Sequence, residues 1–302
     1  MTATTFSTDI PDGFDYVGDV YRPPTEADSI LLQASVGCSY GACTFCSGHR
    51  GKRFAIKPQE TLERDIAFAE HYCKRQDRVF VMDGNALVMP TEQWVWLLER
   101  IRARLPWVRG VSTFASGKDI ADKTDAELVH LRGLGLDRIY VGVESGSAAV
   151  LKRIRKGIGP EEMLAQCRRI KNAGMALYVS VILGIADEAE SSAHARDTGE
   201  LLSAINPDVA AVLTLIPHPG TPVFKEIRKG KLRAPHPTDI LQELKELYTH
   251  TRLQGGLFDY GHSSGYFSFK AQLPEERAAG LEKIEAALRG QCTIKQEEKR
   301  RI

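Results

Sequence analysis

The chain has no apolar run approaching the ~18 residues a membrane span requires, and no excess of either charge: 40 Lys+Arg stand against 39 Asp+Glu, a formal net charge of +1. The first absence excludes a bundle of membrane helices. The second removes the global field that would draw a protein to nucleic acid or an anionic bilayer, so nucleic acid is not an expected partner. The opening residues, Met1-Thr2-Ala3-Thr4-Thr5-Phe6, carry neither a basic stretch nor a following apolar run, so a cytoplasmic location is expected. Low-complexity linkers and internal repeats beyond a strand-helix period are also absent. Nothing in the pattern argues for a second domain.

Cysteine is scarce and unevenly used. Of six, Cys38, Cys43 and Cys46 fall within nine positions, while Cys73, Cys167 and Cys292 are scattered singly. That is ligand spacing, not a disulfide framework, and it fits a reducing compartment.

From Ser29 onward, short β-branched runs alternate with longer amphipathic segments. The runs at 30–36, 78–82, 109–114, 138–143, 176–183 and 209–214 predict six strands of a parallel sheet covered by helices. Thr124 with Glu127 makes a capping box, and Gly159-Pro160-Glu161-Glu162 starts a helix that Gly174 ends. Beyond Thr214 a Pro-rich turn leads to helices expected at 237–253 and 274–288, with an aromatic-rich loop between them. Residues 295–302 are a charged tail expected to fray. The organisation expected is an N-terminal arm (1–28), a core (29–230) and a C-terminal extension over the mouth of that core (231–302).

Cys38-Ser39-Tyr40-Gly41-Ala42-Cys43-Thr44-Phe45-Cys46 comes directly after the first strand, so three thiols lie where active sites of barrel-like α/β enzymes lie. Three cysteines can ligate three irons of a cubane cluster and leave the fourth iron open to another ligand. The competing reading is a zinc site with His49 as the fourth ligand. Structural zinc normally uses two paired knuckles and this chain has one, so His49 reads better as a solvated or substrate-side residue.

The loop resembles the cluster loop of the radical S-adenosylmethionine (SAM) superfamily, with one residue more than the usual Cys-x3-Cys-x2-Cys spacing; Cys43-Thr44-Phe45-Cys46 matches well. Tyr21-Arg22-Pro23-Pro24 and Gly51-Lys52-Arg53-Phe54 extend the likeness. Such a resemblance implies a partial TIM barrel, a (β/α)6 core with a C-terminal helical extension. It also implies a 4Fe-4S cluster on Cys38, Cys43 and Cys46, with SAM on the open iron.

The resemblance further implies SAM contacts at successive strand ends. Phe45 would pack near the adenine and Asp83-Gly84-Asn85 would meet the methionyl amine. Ser112 would be a polar contact, and Glu144-Ser145-Gly146 resembles the SAM-binding signature of the branch with tRNA methylthiotransferases and oxygen-independent coproporphyrinogen oxidases. Lys156 would face the methionyl carboxylate. Ser180, Ile182 and Gly184 would flank the ribose and adenine, with Ile216 beyond the sixth strand and Pro219-Gly220-Thr221-Pro222 after it. Taken singly, several of these residues also read as ordinary turn or cap chemistry.

The activity implied by the resemblance is reductive cleavage of SAM to a 5'-deoxyadenosyl radical that abstracts hydrogen from a small-molecule or cofactor-precursor substrate, with flavodoxin or ferredoxin as electron donor. His262, Tyr266 and Arg22 are the expected substrate contacts. The alternative is a non-catalytic haem- or metal-binding chaperone on the same scaffold, with His262 as a ligand. Without a second cluster motif, sulfur insertion is disfavoured.

Overall fold

The computed structural model describes residues 12–232, 234 and 236–301; the expectation drawn from the first residues of the chain lies outside them. Eight strands form one sheet in sequential order: β1 Ile30–Gln33, β2 Arg78–Met82, β3 Gly110–Ala115, β4 Leu136–Glu144, β5 Ala176–Leu183, β6 Val209–Thr214, β7 Leu257–Tyr260 and β8 Phe269–Gln272. Each neighbouring pair from β1 to β7 is parallel, and β8 turns back antiparallel on β7. The two outermost strands, β1 and β8, do not pair with each other, so the sheet is a partial barrel with an open side. No described helix is long and apolar enough to cross a membrane.

Side chains alternate between the two faces of each strand. Val79, Val81, Val111, Ile139, Val141, Leu177, Val179 and Val181 pack outward with the helices in the main core. The opposite parity, Phe80, Phe114, Tyr140 and Tyr178, forms an aromatic cluster on the concave face, with edge-on ring contacts at centroid distances of 5.0 to 5.9 Å. Full burial of one such aliphatic side chain contributes about 1.5–3 kcal/mol, so this outer face supplies much of the driving force for sheet-helix packing. The capping box at Thr124 and Glu127 is present in both directions.

The structure departs from the sequence pattern in three places. The first run splits, because Ser35–Val36 leaves the sheet and pairs antiparallel with Ala55–Ile56. That two-residue ladder closes the base of the long loop bearing the cysteines. The aromatic-rich loop contains β7 and β8: Phe258, Tyr260, Phe269 and Ala271 alternate into the core, with Lys270 and Gln272 on the other side. Its alternation is only four residues long in each strand, too short to stand out beside the longer parallel runs.

The tail is the third departure. Arg300 is buried, and its guanidinium donates to Leu215 O (2.7 Å), Ser264 O (2.7 Å) and the Tyr266 hydroxyl (2.9 Å). A charged residue with that many acceptors docks, where composition alone reads as fraying.

Candidate functional site

The cysteine loop leaves the C-terminal end of β1 and is fixed from several sides. Asp83, at the end of β2, is almost wholly buried; its Oδ2 accepts the Gly37 N–H and the Lys52 ammonium, each at 3.1 Å, while Oδ1 lies 3.3 Å from His49 Nδ1. Burial alone would raise the Asp83 pKa, but the His49 contact and these hydrogen bonds outweigh it and hold it below the usual carboxylate range. Asn85 accepts the Ser39 N–H (3.0 Å) and donates to Ser39 Oγ (2.7 Å) and to the Asp119 carboxylate. Gly84 lies between them, where an added Cβ would come within 2.9 Å of the Cys38 Cβ and 2.8 Å of the His49 ring. The Asp83 and Asn85 side chains therefore anchor the loop, which leaves the backbone of the turn as the part able to face a ligand.

The far side of the loop is held as tightly. Thr44 donates its N–H to Ile154 O (2.9 Å) and accepts the Val223 N–H (3.2 Å) at the start of the helix Pro222–Arg228. Thr221, the N-cap of that helix, belongs to the Pro-Gly-Thr-Pro turn, so the turn serves to deliver a helix start to the cysteine loop. Tyr40 donates to Arg155 O (2.9 Å), and the Lys118 ammonium lies 4.3 Å above its ring.

Glu144 ends β4 with φ of 66°, a left-handed conformation costing a non-glycine residue about 1–2 kcal/mol. The ladder to β5 slips at this point, between Gly142 and Glu144. The bulge swings the Glu144 carboxylate back over Gly142, where a Cβ would lie 2.2 Å from Oε1, and onto the Lys156 ammonium at 2.8 Å. Both partners are about nine-tenths buried. Burial would lower the Lys156 pKa, yet Glu144, Cys43 and Cys38 together raise it.

The thiols respond to the same surroundings. Burial pushes Cys43 up to about 11, with Lys156 the main opposing influence. Burial also raises Cys46, partly offset by the backbone N–H groups of Gly48 and His49. Desolvated thiols beside a lysine and backbone donors fit a cluster, which supplies the positive charge that turns them into thiolates. A cubane takes one cysteine per iron. Among the described residues no three His, Cys, Asp or Glu side chains converge on a single metal-ion position, which a mononuclear zinc site with His49 would require.

Phe45 packs with Ile182, Ile185, Leu215 and Val223 in an apolar cluster beside the loop. Ser180 and Ile182 share the inward parity of β5, Gly184 is buried just past its end, and Ile216 is half-buried past β6. The fold thus gathers the three cysteines, Phe45, Asp83, Gly84, Asn85, Glu144, Ser145, Lys156, Ile182, Gly184 and Ile216 around the C-terminal ends of the strands.

Of the other expected contacts, His262 and Tyr266 follow the C-terminal end of β7, while Ser112 lies apart from that end. Ser112 is in the interior of β3, its hydroxyl donating to the buried Glu26 (2.9 Å), three residues and so roughly 10 Å short of the strand end. Tyr266 is fully buried and its hydroxyl is engaged by Glu297 and Arg300. His262 is half-buried; the Ser264 N–H donates to its Nδ1 (3.1 Å), and burial lowers its pKa. Arg22 is exposed on the arm. The remaining cysteines stay apart from the loop's role: Cys167 is fully buried in the core, Cys73 caps a helix and Cys292 is exposed.

Sequence reasoning did not single out Lys52 or Asp119 as loop anchors, nor the buried pair His194 and Glu243. An acid in the middle of an otherwise apolar helix face, as at Glu243 between Ile240 and Leu244, was the available signal.

The same organisation recurs in known proteins. The family model described as the Radical SAM superfamily matches residues 32–196. The chain is 30% identical over 200 residues to an uncharacterized methyltransferase of Pyrococcus horikoshii, covering 65% of this chain and 41% of that protein. It is 28% identical over 222 residues to a tRNA-2-methylthio-N(6)-dimethylallyladenosine synthase of Bacillus pumilus, covering 69% and 42% respectively. The chain therefore spans less than half the length of these curated relatives. Among solved structures, coproporphyrinogen III oxidase from Escherichia coli superposes with a TM-score of 0.59 at 18% identity, over 84% of this chain and 57% of that one.

Proposed function

Because the chain belongs to the radical SAM superfamily, whose enzymes use a 4Fe-4S cluster and SAM, we propose that it binds one cluster through Cys38, Cys43 and Cys46 and abstracts hydrogen from a small-molecule or cofactor-precursor substrate. The observation that carries this reading is the placement of three anchored thiols beside the buried Glu144–Lys156 pair, at one end of a parallel sheet. The cluster, when bound and reduced, supplies the electron that splits SAM into methionine and a 5'-deoxyadenosyl radical.

The protein's own residues bind and orient. The Glu144–Lys156 pair presents one anion and one cation to the amine and carboxylate of a methionyl group, so a zwitterion can exchange with the pair without leaving either charge buried alone. Phe45, Ile182 and Leu215 offer an apolar wall to an adenine. Water exclusion by that wall and a near-attack placement of the substrate C–H are what this arrangement contributes. An electron donor of the flavodoxin or ferredoxin class is part of the proposal. The haem-binding alternative rests on His262, and the engagement of that ring with Ser264 gives it no support.

The test is anaerobic reconstitution with iron and sulfide, then EPR of the reduced protein with and without SAM and chromatography for 5'-deoxyadenosine. A cubane signal perturbed by SAM, with 5'-deoxyadenosine formed, is expected. A reconstituted cluster that neither responds to SAM nor cleaves it overturns the proposal.

A further inference from the structure

Glu243 and His194 are nearly wholly buried, yet neither belongs to the cysteine loop or the Glu144–Lys156 pair. Glu243 comes from the helix Pro237–His250 and His194 from the helix Ser191–Ile205, two helices outside the sheet. The Glu243 carboxylate accepts the Gly184 N–H (2.8 Å) and the Ser191 hydroxyl (2.5 Å), and its Oε1 lies 3.4 Å from His194 Nε2. That nitrogen also lies 3.3 Å from Ile182 O, and His194 Nδ1 is 2.8 Å from Ser145 Oγ.

The protons can be assigned along this chain of contacts. Ser147 donates its N–H to Ser145 Oγ (2.9 Å), so the Ser145 hydroxyl hydrogen is free to go to His194 Nδ1. The remaining ring proton is then on Nε2, facing Ile182 O and the Glu243 carboxylate. The next N–H of the same turn, that of Gly146, goes to Thr198 Oγ1 (2.8 Å), four residues along the helix from His194. A single imidazole thereby ties the end of β4 to the end of β5.

The tie replaces something the sheet lacks. The β4–β5 ladder slips between Gly142 and Glu144 and ends at the Glu144–Val181 pair, so no ladder pair between these strands reaches Ser145, Ile182 or Gly184. A side-chain network with every member buried and paired is rigid where a bulged ladder is not.

We infer that Glu243, His194 and Ser145 form a positioning relay that holds the β4 and β5 ends in register for SAM, and that SAM affinity depends on Glu243 although it does not reach the ligand. The inference rests on the SAM reading above and concerns binding, not chemistry.

The experiment measures SAM dissociation constants of the reconstituted protein by equilibrium dialysis, alongside iron content and EPR of the SAM-free reduced cluster. Glu243→Gln keeps the shape but places an amide N–H among donors. It should weaken SAM binding by about 5- to 10-fold, and Ser145→Ala by a similar factor, while the double variant is no weaker than the weaker single, because groups acting as one unit are non-additive. Iron content and the SAM-free spectrum should match the parent, a pattern general loosening of the fold would not give. Glu246→Gln, one turn along on the same helix, is the control and should bind as the parent does.

Parental affinity in Glu243→Gln, or multiplied effects in the double variant, overturns the relay. If Glu243→Gln does not fold, the pair Ser145→Ala and His194→Gln gives the same cycle with the same two outcomes. Failure of the parent to bind SAM sinks the functional reading and the relay with it, whereas a binding parent with an unaffected variant sinks the relay alone.

Discussion

The two ends of the sheet use charge in opposite ways. At the end opposite the cysteines, Glu26 from the N-terminal arm is wholly buried, and its carboxylate accepts from Ser112 (2.9 Å), Arg138 (2.9 Å), Tyr140 (2.6 Å) and Ser29. Both oxygens of that carboxylate are met by protein donors, above an aromatic cluster, which is how a structural floor is built. At the cysteine end the Cys43 and Cys46 thiols are desolvated and carry raised pKa values, and Glu144 holds a strained backbone conformation. Barrel-like folds separate stability from activity along the strand axis, and here the separation is visible as a carboxylate saturated by protein donors against desolvated thiols.

Variants at each end sharpen this contrast. The largest effect belongs to the cysteines: Cys38→Ala, Cys43→Ala and Cys46→Ala should each reduce bound iron from about four per chain to near none, measured by iron and sulfide quantification, with the far-UV circular dichroism unchanged. Loss of the fold along with the iron would make the loop structural and blur the distinction between the ends.

Glu26→Gln comes next. Removing one partner of a buried ion pair leaves Arg138 uncompensated and should cost about 3 kcal/mol in urea unfolding, while SAM affinity of the folded fraction is unchanged. A shift in SAM affinity would mean that the floor communicates with the site. Lys156→Met is its counterpart, expected to cost a comparable ~3 kcal/mol and also to weaken SAM binding.

Cys43 gives a pH test. With its thiol pushed up to about 11 by burial, alkylation of the apoprotein at Cys43 by iodoacetamide should keep rising with pH toward that value, where an ordinary thiol levels off near 8.5. The folded apoprotein holds this proton more tightly than the unfolded chain. The contribution is therefore complete below the ordinary thiol pKa and is lost as pH rises through about 11. Peptide-mapped alkylation rates check it; a plateau near neutral pH would contradict the desolvated thiol.

The smallest effect is at Tyr266. Tyr266→Phe loses hydroxyl contacts to Glu297 and Arg300 and should cost roughly 1 kcal/mol by denaturant melt, with 5'-deoxyadenosine formation unaltered. Altered product formation would point to Tyr266 as a substrate contact.

Legibility in the sequence tracks the range of the interactions involved. The strands at 78–82, 176–183 and 209–214 fall where their apolar runs predict, because a strand buried on both faces leaves a local mark in composition. The cysteine loop was legible for the same reason, since its ligands lie within nine consecutive residues. The hairpin β7–β8 and the docked tail were not: each four-residue strand and the buried Arg300 take their places from partners far along the chain, such as Leu215 for Arg300.

The sequence by itself determined the sheet class, the thiol spacing and the family, all of which are written in local runs and motifs. Only the tertiary structure decided that Asp83 and Asn85 anchor the loop, that Ser112 is engaged by Glu26 and Tyr266 by Glu297 and Arg300, and that Glu144 is aimed at Lys156 by a bulge. The physical reason is that a side chain's direction and its partners depend on strand register, backbone twist and burial, and these are settled between segments tens of residues apart.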